Sequence, residues 1–443
     1  MDTEKLKAII RDAGVVGAGG AGFPTYGKID NRADTIVMNC AECEPLLSLH
    51  RQLLSLHADE ILSAFSMIAE TLGARRGILG IKAEYRETLD SVYSVLGRYP
   101  LLSVHELPGA YPQGDEVVLI YETTGRVVSP GGLPIEQGIV VFNVETVYNI
   151  WRALNKGVPV VDKLVTVAGE VEHPVTVRVP IGMKLSEVVK KAGSVTTDRP
   201  VFLVGGPMMG RLGKPDDPVT KTTNAVLILP EDHKLIMKMT SRVEIDMKRA
   251  ASVCCQCRTC TDLCPRHLLG HPIEPHLFMR SASNRDTADL KVFLNTFYCS
   301  SCGTCELFAC PQGLSPRKLI TACKTRLRNN GVKPEKAPET KPVDRDREYR
   351  RANEKRLMSR LGLEIYDRKA PLEDEPVRAA SVTVRLSQHI GAPAVACVKP
   401  GDRVKKGQVV AEPGQGLSVP IHASMDGVVK EVTSSEVVIT DGN

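Results

Sequence analysis

The chain has 443 residues, long enough for two to four domains that each bury a core, and its low aromatic content of 4% makes those cores aliphatic. Its 57 basic and 52 acidic side chains leave a net charge of +5, with no Lys/Arg block beside an aromatic ladder, so nucleic acid is not an implied partner. No window approaches eighteen consecutive apolar residues, so no membrane span is expected.

At the start, Leu6, Ile9 and Ile10 form the apolar stripe of a short helix that ends near Gly14, too charged for a signal or transit peptide. GAGGAGFP follows, with Gly17, Gly19, Gly20 and Gly22 inside six residues. Such a run lets the backbone approach a flat or phosphorylated ligand and point N–H groups at it, although a bare turn is the commoner meaning. Its spacing is neither the dinucleotide GxGxxG nor a Walker loop. Asp34 to Cys40 reads as a buried strand, followed by Glu42 and Glu44 in a loop and then by an amphipathic helix from about Leu46 to Leu72. Ligands bind at the carboxyl ends of α/β strands. The two carboxylates are suited to ribose hydroxyls or a carboxamide, or else to capping the helix after them. AYPQGDE (Ala110 to Glu116) and GIVVFNVET (Gly138 to Thr146) are two further strand or loop ends rich in polar groups.

From Asp162 to Pro230 the pattern changes to alternating β-branched residues in the order hairpin, helix, strand, with a tight turn at GGPMMG, where Met208 and Met209 are expected to pack on the preceding domain. Nine of the thirteen cysteines then fall between Cys254 and Cys310. They form two runs, CxxCxxCxxxCP (Cys254, Cys257, Cys260, Cys264) and CxxCxxCxxxxCP (Cys299, Cys302, Cys305, Cys310). Three thiolates at three-residue intervals, twice, each completed by Cys-Pro, fit iron–sulfur cradles better than zinc pairs or disulfides. In two-cluster ferredoxins the fourth Cys of each run crosses to the other cluster. The expected ligand sets are therefore Cys254, Cys257, Cys260 and Cys310 for one 4Fe–4S cluster, and Cys299, Cys302, Cys305 and Cys264 for the second. Cys255 reads as a bystander, and His267 and His271 as residues other than ligands. Thiols kept for clusters require a reducing, cytoplasmic setting. A charged, proline-bearing stretch from about Lys324 to Pro371 reads as a solvated linker with one helix, and Ser381 to Asn443 has the barrel-sandwich pattern of biotinyl and lipoyl carriers. The turn where a carrier presents its lysine is Ser424, Met425, Asp426, Gly427, so no swinging arm is expected.

Together these motifs resemble the flavin- and NADH-binding subunit of respiratory complex I, the RnfC proteins of the Rnf complex and, most closely, the cobalamin reductases of propanediol-utilisation microcompartments. The resemblance implies FMN on Gly17, Gly19, Gly20, Gly22, Phe23 and Lys28, with flavin and nicotinamide contacts at Asn39, Glu42 and Glu44. It further implies cofactor contacts at Tyr111, Gly114, Asp115 and Glu116, and an FMN phosphate region at Asn143, Glu145 and Thr146. Ala41 stands where the complex I protein has Asp, which makes flavin the safer part of the reading. The implied fold is multidomain α/β and α+β: a Rossmann-like flavin/NADH domain (1–158), a soluble-ligand-binding β-grasp (SLBB) domain (159–232), a helical two-cluster ferredoxin-like domain (233–330), a charged linker (331–378) and a barrel-sandwich hybrid (379–443). The implied activity is NADH-dependent reduction of cobalamin from Co(III) to Co(II) and Co(I), inside a bacterial microcompartment, with an adenosyltransferase and shell proteins as partners. The oligomeric state is left open, an oligomer included. The alternative is an RnfC-like electron-transfer component of a membrane-associated NADH:ferredoxin complex. In RnfC proteins the barrel-sandwich module comes first, whereas here it comes last, as in the cobalamin reductases.

Overall fold

The computed structural model describes residues 1–337 and 340–442. Strands β1 (Thr35–Cys40), β2 (Arg76–Lys82), β3 (Leu102–Leu107) and, after the two-residue β4 (Ala110–Tyr111), β5 (Ile139–Asn143) supply a parallel sheet of order β3-β2-β1-β5. Its strands are covered on both faces, as a parallel sheet requires. Along β1 the side chains alternate: Ile36 and Met38 enter one apolar core, and Val37 enters another. Helices α1 (Thr3–Asp12), α2 (Leu49–Leu56), α3 (Ala58–Leu72), α4 (Arg86–Leu96), α5 (Glu116–Thr124) and α6 (Val144–Lys156) complete this domain. The helix expected over 46–72 is two helices. His57 breaks it, leaving the helical backbone to stack on Tyr148 at 4.6 Å and to meet Asp374 Oδ2 at 3.1 Å.

Strands β6 (Asp162–Gly169) and β7 (Val175–Pro180), helix α7 (Leu185–Val189), and strands β8 (Pro200–Val204), β9 (Arg211–Gly213) and β10 (Ala225–Pro230) make the second sheet, of order β7-β6-β10-β8-β9, over a valine-rich core. The cysteine domain is helical: α8 (Lys234–Thr240), α9 (Val243–Val253), α10 (Thr259–Asp262), α11 (Pro265–Leu268), α12 (Pro275–Asn284), α13 (Lys291–Leu294) and α14 (Pro316–Asn329) surround the two runs.

The stretch read as a solvated linker instead packs down. Strand β11 (Ala352–Asn353) pairs with β4, helix α15 (Glu354–Leu361) buries Leu357 and Leu361, and β12 (Leu372–Pro376) adds a parallel edge strand to β7. Its charge density is that of interdomain ion pairs: Glu354 meets Lys82 (2.7 Å), Arg347 and Arg351 meet Glu122 (2.6 and 3.0 Å), and Asp374 meets Arg178 (2.9 Å). Composition alone does not separate solvated charge from paired charge.

Two small sheets close the C-terminal module, with strands β13 (Ser381–Arg385), β14 (Val395–Ala396), β15 (Arg403–Val404), β16 (Val409–Glu412), β17 (Ile421–His422), β18 (Gly427–Val432) and β19 (Glu436–Thr440) in orders β13-β19-β18-β15 and β14-β16-β17.

Candidate functional site

In the first sheet β1 continues to β2 on one side and borders β5 on the other, so the strand order reverses between β1 and β5. A crevice at the carboxyl ends of these two strands is where an α/β sheet binds its ligand. Asn39 and Asn143 stand there, directly paired across the strands. Asn143 also caps α6, its Oδ1 accepting from the Glu145 and Thr146 amides at 3.0 and 3.4 Å. Against this helix terminus lies the glycine run. Ala18 N donates to Thr146 Oγ1 (3.0 Å), and a Cβ on Gly19 would meet Asn143 Nδ2 at 2.4 Å, so a side chain there would displace the capping amide. The amides of Gly19 and Gly20 have no acceptor within the chain among the described residues, and both residues are exposed. Free N–H groups beside a helix N-terminus suit the phosphate of FMN, so the residues present fit the group. Lys28 Nζ donates to the Val141 carbonyl (3.2 Å) and meets Glu116 (3.3 Å) at the same edge, and Phe23 is half-buried rather than part of the core.

The carboxylates expected beside the nicotinamide accept hydrogen bonds from backbone amides. Glu42, at a positive φ of 38°, accepts from the amides of His50 (2.8 Å) and Arg51 (3.0 Å) at the start of α2. Glu44 reaches into the second domain and accepts from the amides of Met208 (2.8 Å) and Met209 (3.0 Å). Burial raises its pKa to about 7, with those amides pulling the other way. Met208 is buried in the shared core, whereas Met209 is exposed. Glu145 lies in the core under the crevice, paired with Lys163 and 3.5 Å from His50. Burial alone would raise its pKa; Lys163 and His50 outweigh that and hold it at about 2. Neither His50 nor Lys163 stood out in the sequence, because their partners are far along the chain.

The remaining expected contacts face the cysteines. Asn39 Nδ2 donates to the Gly114 carbonyl (2.9 Å), whose residue packs on Cys43. Tyr111 Oη donates to the Cys302 carbonyl (2.6 Å), and Asp115 caps α5 with one oxygen while meeting Arg266 at 2.9 Å.

Both cysteine runs repeat one backbone course. The second residue after the first Cys has positive φ in each run (Gln256 and Ser301), as does the fourth (Arg258 and Gly303). Equivalent threonines, Thr259 and Thr304, place their hydroxyls 3.3 and 3.4 Å from the sulfurs of Cys257 and Cys302. Gln256, Ser301 and Leu314 direct N–H groups at the sulfurs of Cys254, Cys299 and Cys310. Cys254, Cys257, Cys260 and Cys310 line one cavity, with Cys255 also at its wall. Burial first, and then the neighbouring Cys310, Cys257 and Cys254, push the Cys260 thiol up to about 12. Cys264 responds in the same way, to burial and then to Cys302 and Cys299, and Cys305 to burial and then to Cys299, Cys302 and Cys264. Thiols that repel one another's charge become a set of thiolates only around a cationic core, which fits iron–sulfur clusters. Cys255 is exposed, and His267 and His271 hydrogen-bond carbonyls at 3.1 and 3.0 Å.

A glycine run on a helix terminus, joined to two groups of four thiols, defines an oxidoreductase built from a flavin domain and an iron–sulfur domain. Family models match in that order: the Nuo51 FMN-binding domain over residues 10–152, the SLBB domain over 164–212, the 4Fe-4S dicluster domain over 253–315 and the RnfC barrel sandwich hybrid domain over 358–442. The chain belongs to the family of the cobalamin reductase PduS: it is 42% identical to that protein from Citrobacter freundii over 443 residues, covering 100% of this chain and 97% of the relative. The RnfC-type component of the Na(+)-translocating ferredoxin:NAD(+) oxidoreductase complex of Acetobacterium woodii is 31% identical over 60% of this chain and 59% of its own length. An NAD+-reducing [NiFe]-hydrogenase structure, 22% identical, aligns with a TM-score of 0.50 over 75% of this chain and 64% of its own, a likeness of fold.

Proposed function

We propose that this chain is an NADH-dependent cobalamin reductase carrying FMN and two 4Fe–4S clusters. The observation that carries the reading is the direct contact between the flavin crevice and the second cysteine group, made by Tyr111 on Cys302 and by Asp115 on Arg266, the residue two after Cys264. Cys264, Cys299, Cys302 and Cys305 then hold the cluster next to the flavin. Cys254, Cys257, Cys260 and Cys310 hold the outer one, where Cys257 is exposed. Bound FMN supplies the exchange between a hydride and single electrons, and bound clusters supply single-electron relays. In this reading Gly17, Gly19, Gly20, Gly22, Asn143 and Thr146 seat the FMN phosphate side. Glu42, Glu44 and Glu145 shape the crevice from behind, since backbone amides or Lys163 already occupy them. Half-exposed Phe23 and Lys28 are the flavin contacts of this reading, with Glu116, paired to Lys28 at 3.3 Å, a further cofactor contact beside them.

Cobalamin as acceptor rests on the full-length relationship to PduS; the Rnf-type relative covers only 60% of the chain, which disfavours the alternative. The reading includes a place inside a bacterial microcompartment beside an adenosyltransferase and shell proteins, as the family resemblance implies. No helix among the described residues is long and apolar enough to cross a membrane.

The test is anaerobic purification followed by addition of NADH and then hydroxocobalamin, with the flavin and cluster absorbance recorded throughout. Bleaching by NADH and formation of cob(II)alamin is the expected result. Bleaching by NADH that cobalamin does not reverse moves the acceptor to another protein, and bleaching by dithionite alone removes the dinucleotide from the proposal.

A further inference from the structure

A barrel-sandwich module without its lysine has to act through what it touches, and its hairpins touch the glycine run. At Gly22, whose φ is +73°, a Cβ would meet Thr222 Cγ2 at 3.0 Å, the Gln388 carbonyl at 3.1 Å and His389 Cα at 3.2 Å, and the Ile390 amide donates to the Gly22 carbonyl at 3.3 Å. Ahead of the run stands Gly14, φ +66°, where a Cβ would meet Lys221 Nζ at 2.7 Å and the Pro420 carbonyl at 2.8 Å. Lys221 is buried. Its ammonium donates to the carbonyls of Gly14 (2.7 Å) and Pro420 (3.4 Å), and its amide donates to Gln388 Oε1 (3.0 Å). Beyond the run, the Ser418 amide donates to Tyr26 Oη (3.3 Å) and Leu417 packs on Gly27. The turn at which carrier modules offer their lysine is itself tied down, Ser424 Oγ donating to the Ile181 carbonyl at 2.5 Å. Both ends of the run are therefore gripped, while Gly19, Gly20 and Ala21 between them stay exposed.

We propose that the C-terminal module is a clamp that holds the glycine run in its FMN-binding shape, with Lys221 as the pin shared by the flavin, β-grasp and C-terminal domains. Glycine loses more conformational freedom on ordering than any other residue, and an unclamped loop would bear that loss at the moment of binding. Lys221, Leu417 and Ile390 are positioning residues, acting on the flavin through the loop. This inference rests on the FMN reading above, and its test separates the two.

Full-length wild type, Lys221→Met and Leu417→Ala are freed of flavin and titrated with FMN by fluorescence, with iron content and melting temperature measured in parallel. Lys221→Met keeps side-chain volume but strands the Gly14 and Pro420 carbonyls, so a purely structural lysine predicts a lower melting temperature with unchanged FMN affinity. The clamp predicts FMN binding weaker by about tenfold in both variants, at unchanged iron content. Wild type that binds FMN no more tightly than Lys221→Met overturns the clamp while leaving the flavin reading intact. Wild type that binds no FMN overturns both. Should Leu417→Ala lose iron or melt early, Lys221→Met decides alone.

Discussion

Glu42 and Glu44 lie two positions apart in one loop, yet one caps α2 and the other bolts the flavin domain to the β-grasp turn. Their prominence was legible in NCAECEP. Their partners were not, because the Met208 amide lies 164 residues from Glu44. Lys221 is the sharper case, since nothing local marks it among the other lysines. It faces two carbonyls and His422, and burial holds its pKa down at about 7, while burial and then Lys221 itself hold His422 at about 4. The unfolded lysine titrates near 10.4. Between those values the unfolded chain keeps a proton that the folded chain has released, so stability rises with pH over that window. Relative to Lys221→Met, wild type is expected to gain about 2 kcal/mol between pH 7 and pH 9, read from urea unfolding midpoints at the two values.

At the scale of elements, the cysteine runs are the most legible part of the chain, since spacing along consecutive residues dictates how a loop wraps a cluster. The positive φ at Gln256, Arg258 and Ser301 is the backbone strain of that wrapping, and it recurs at the same positions in both runs. Crossed ligand sets make a specific prediction. Cys310→Ser, on the second run, should abolish the cluster of the first run, lowering bound iron from about eight to about four per chain and leaving the EPR signal of the flavin-proximal cluster. Cys264→Ser should do the converse. Uncrossed sets would give the opposite pairing of signals. By contrast, the break of the 46–72 helix at His57 had no periodic signal, because the apolar pattern continues through it. The strands of residues 352–376 were hidden for a different reason: they are added to sheets whose other strands lie far away in sequence.

Across the whole molecule, buried polar contacts join the domains alongside a shared apolar core. Glu145 of the flavin domain and Lys163 of the β-grasp domain pair in the core, where removing one partner strands the other's charge. Lys163→Met is expected to cost about 3 kcal/mol, measured as a lowered denaturation midpoint, with FMN affinity falling as α6 shifts under the glycine run. An unchanged midpoint would mean that the pair contributes nothing net. Residue types and short spacings determined by themselves the flavin loop, the cluster thiols, the alternating sheets and the missing carrier lysine, because each is a property of neighbouring residues. Only the tertiary structure decided that the acidic loop holds backbone, that charged residues of the expected linker pair across domains, and that the C-terminal module closes on the glycine run. Those outcomes depend on which distant groups burial forces together, where each buried donor and acceptor needs a partner that the local sequence does not name.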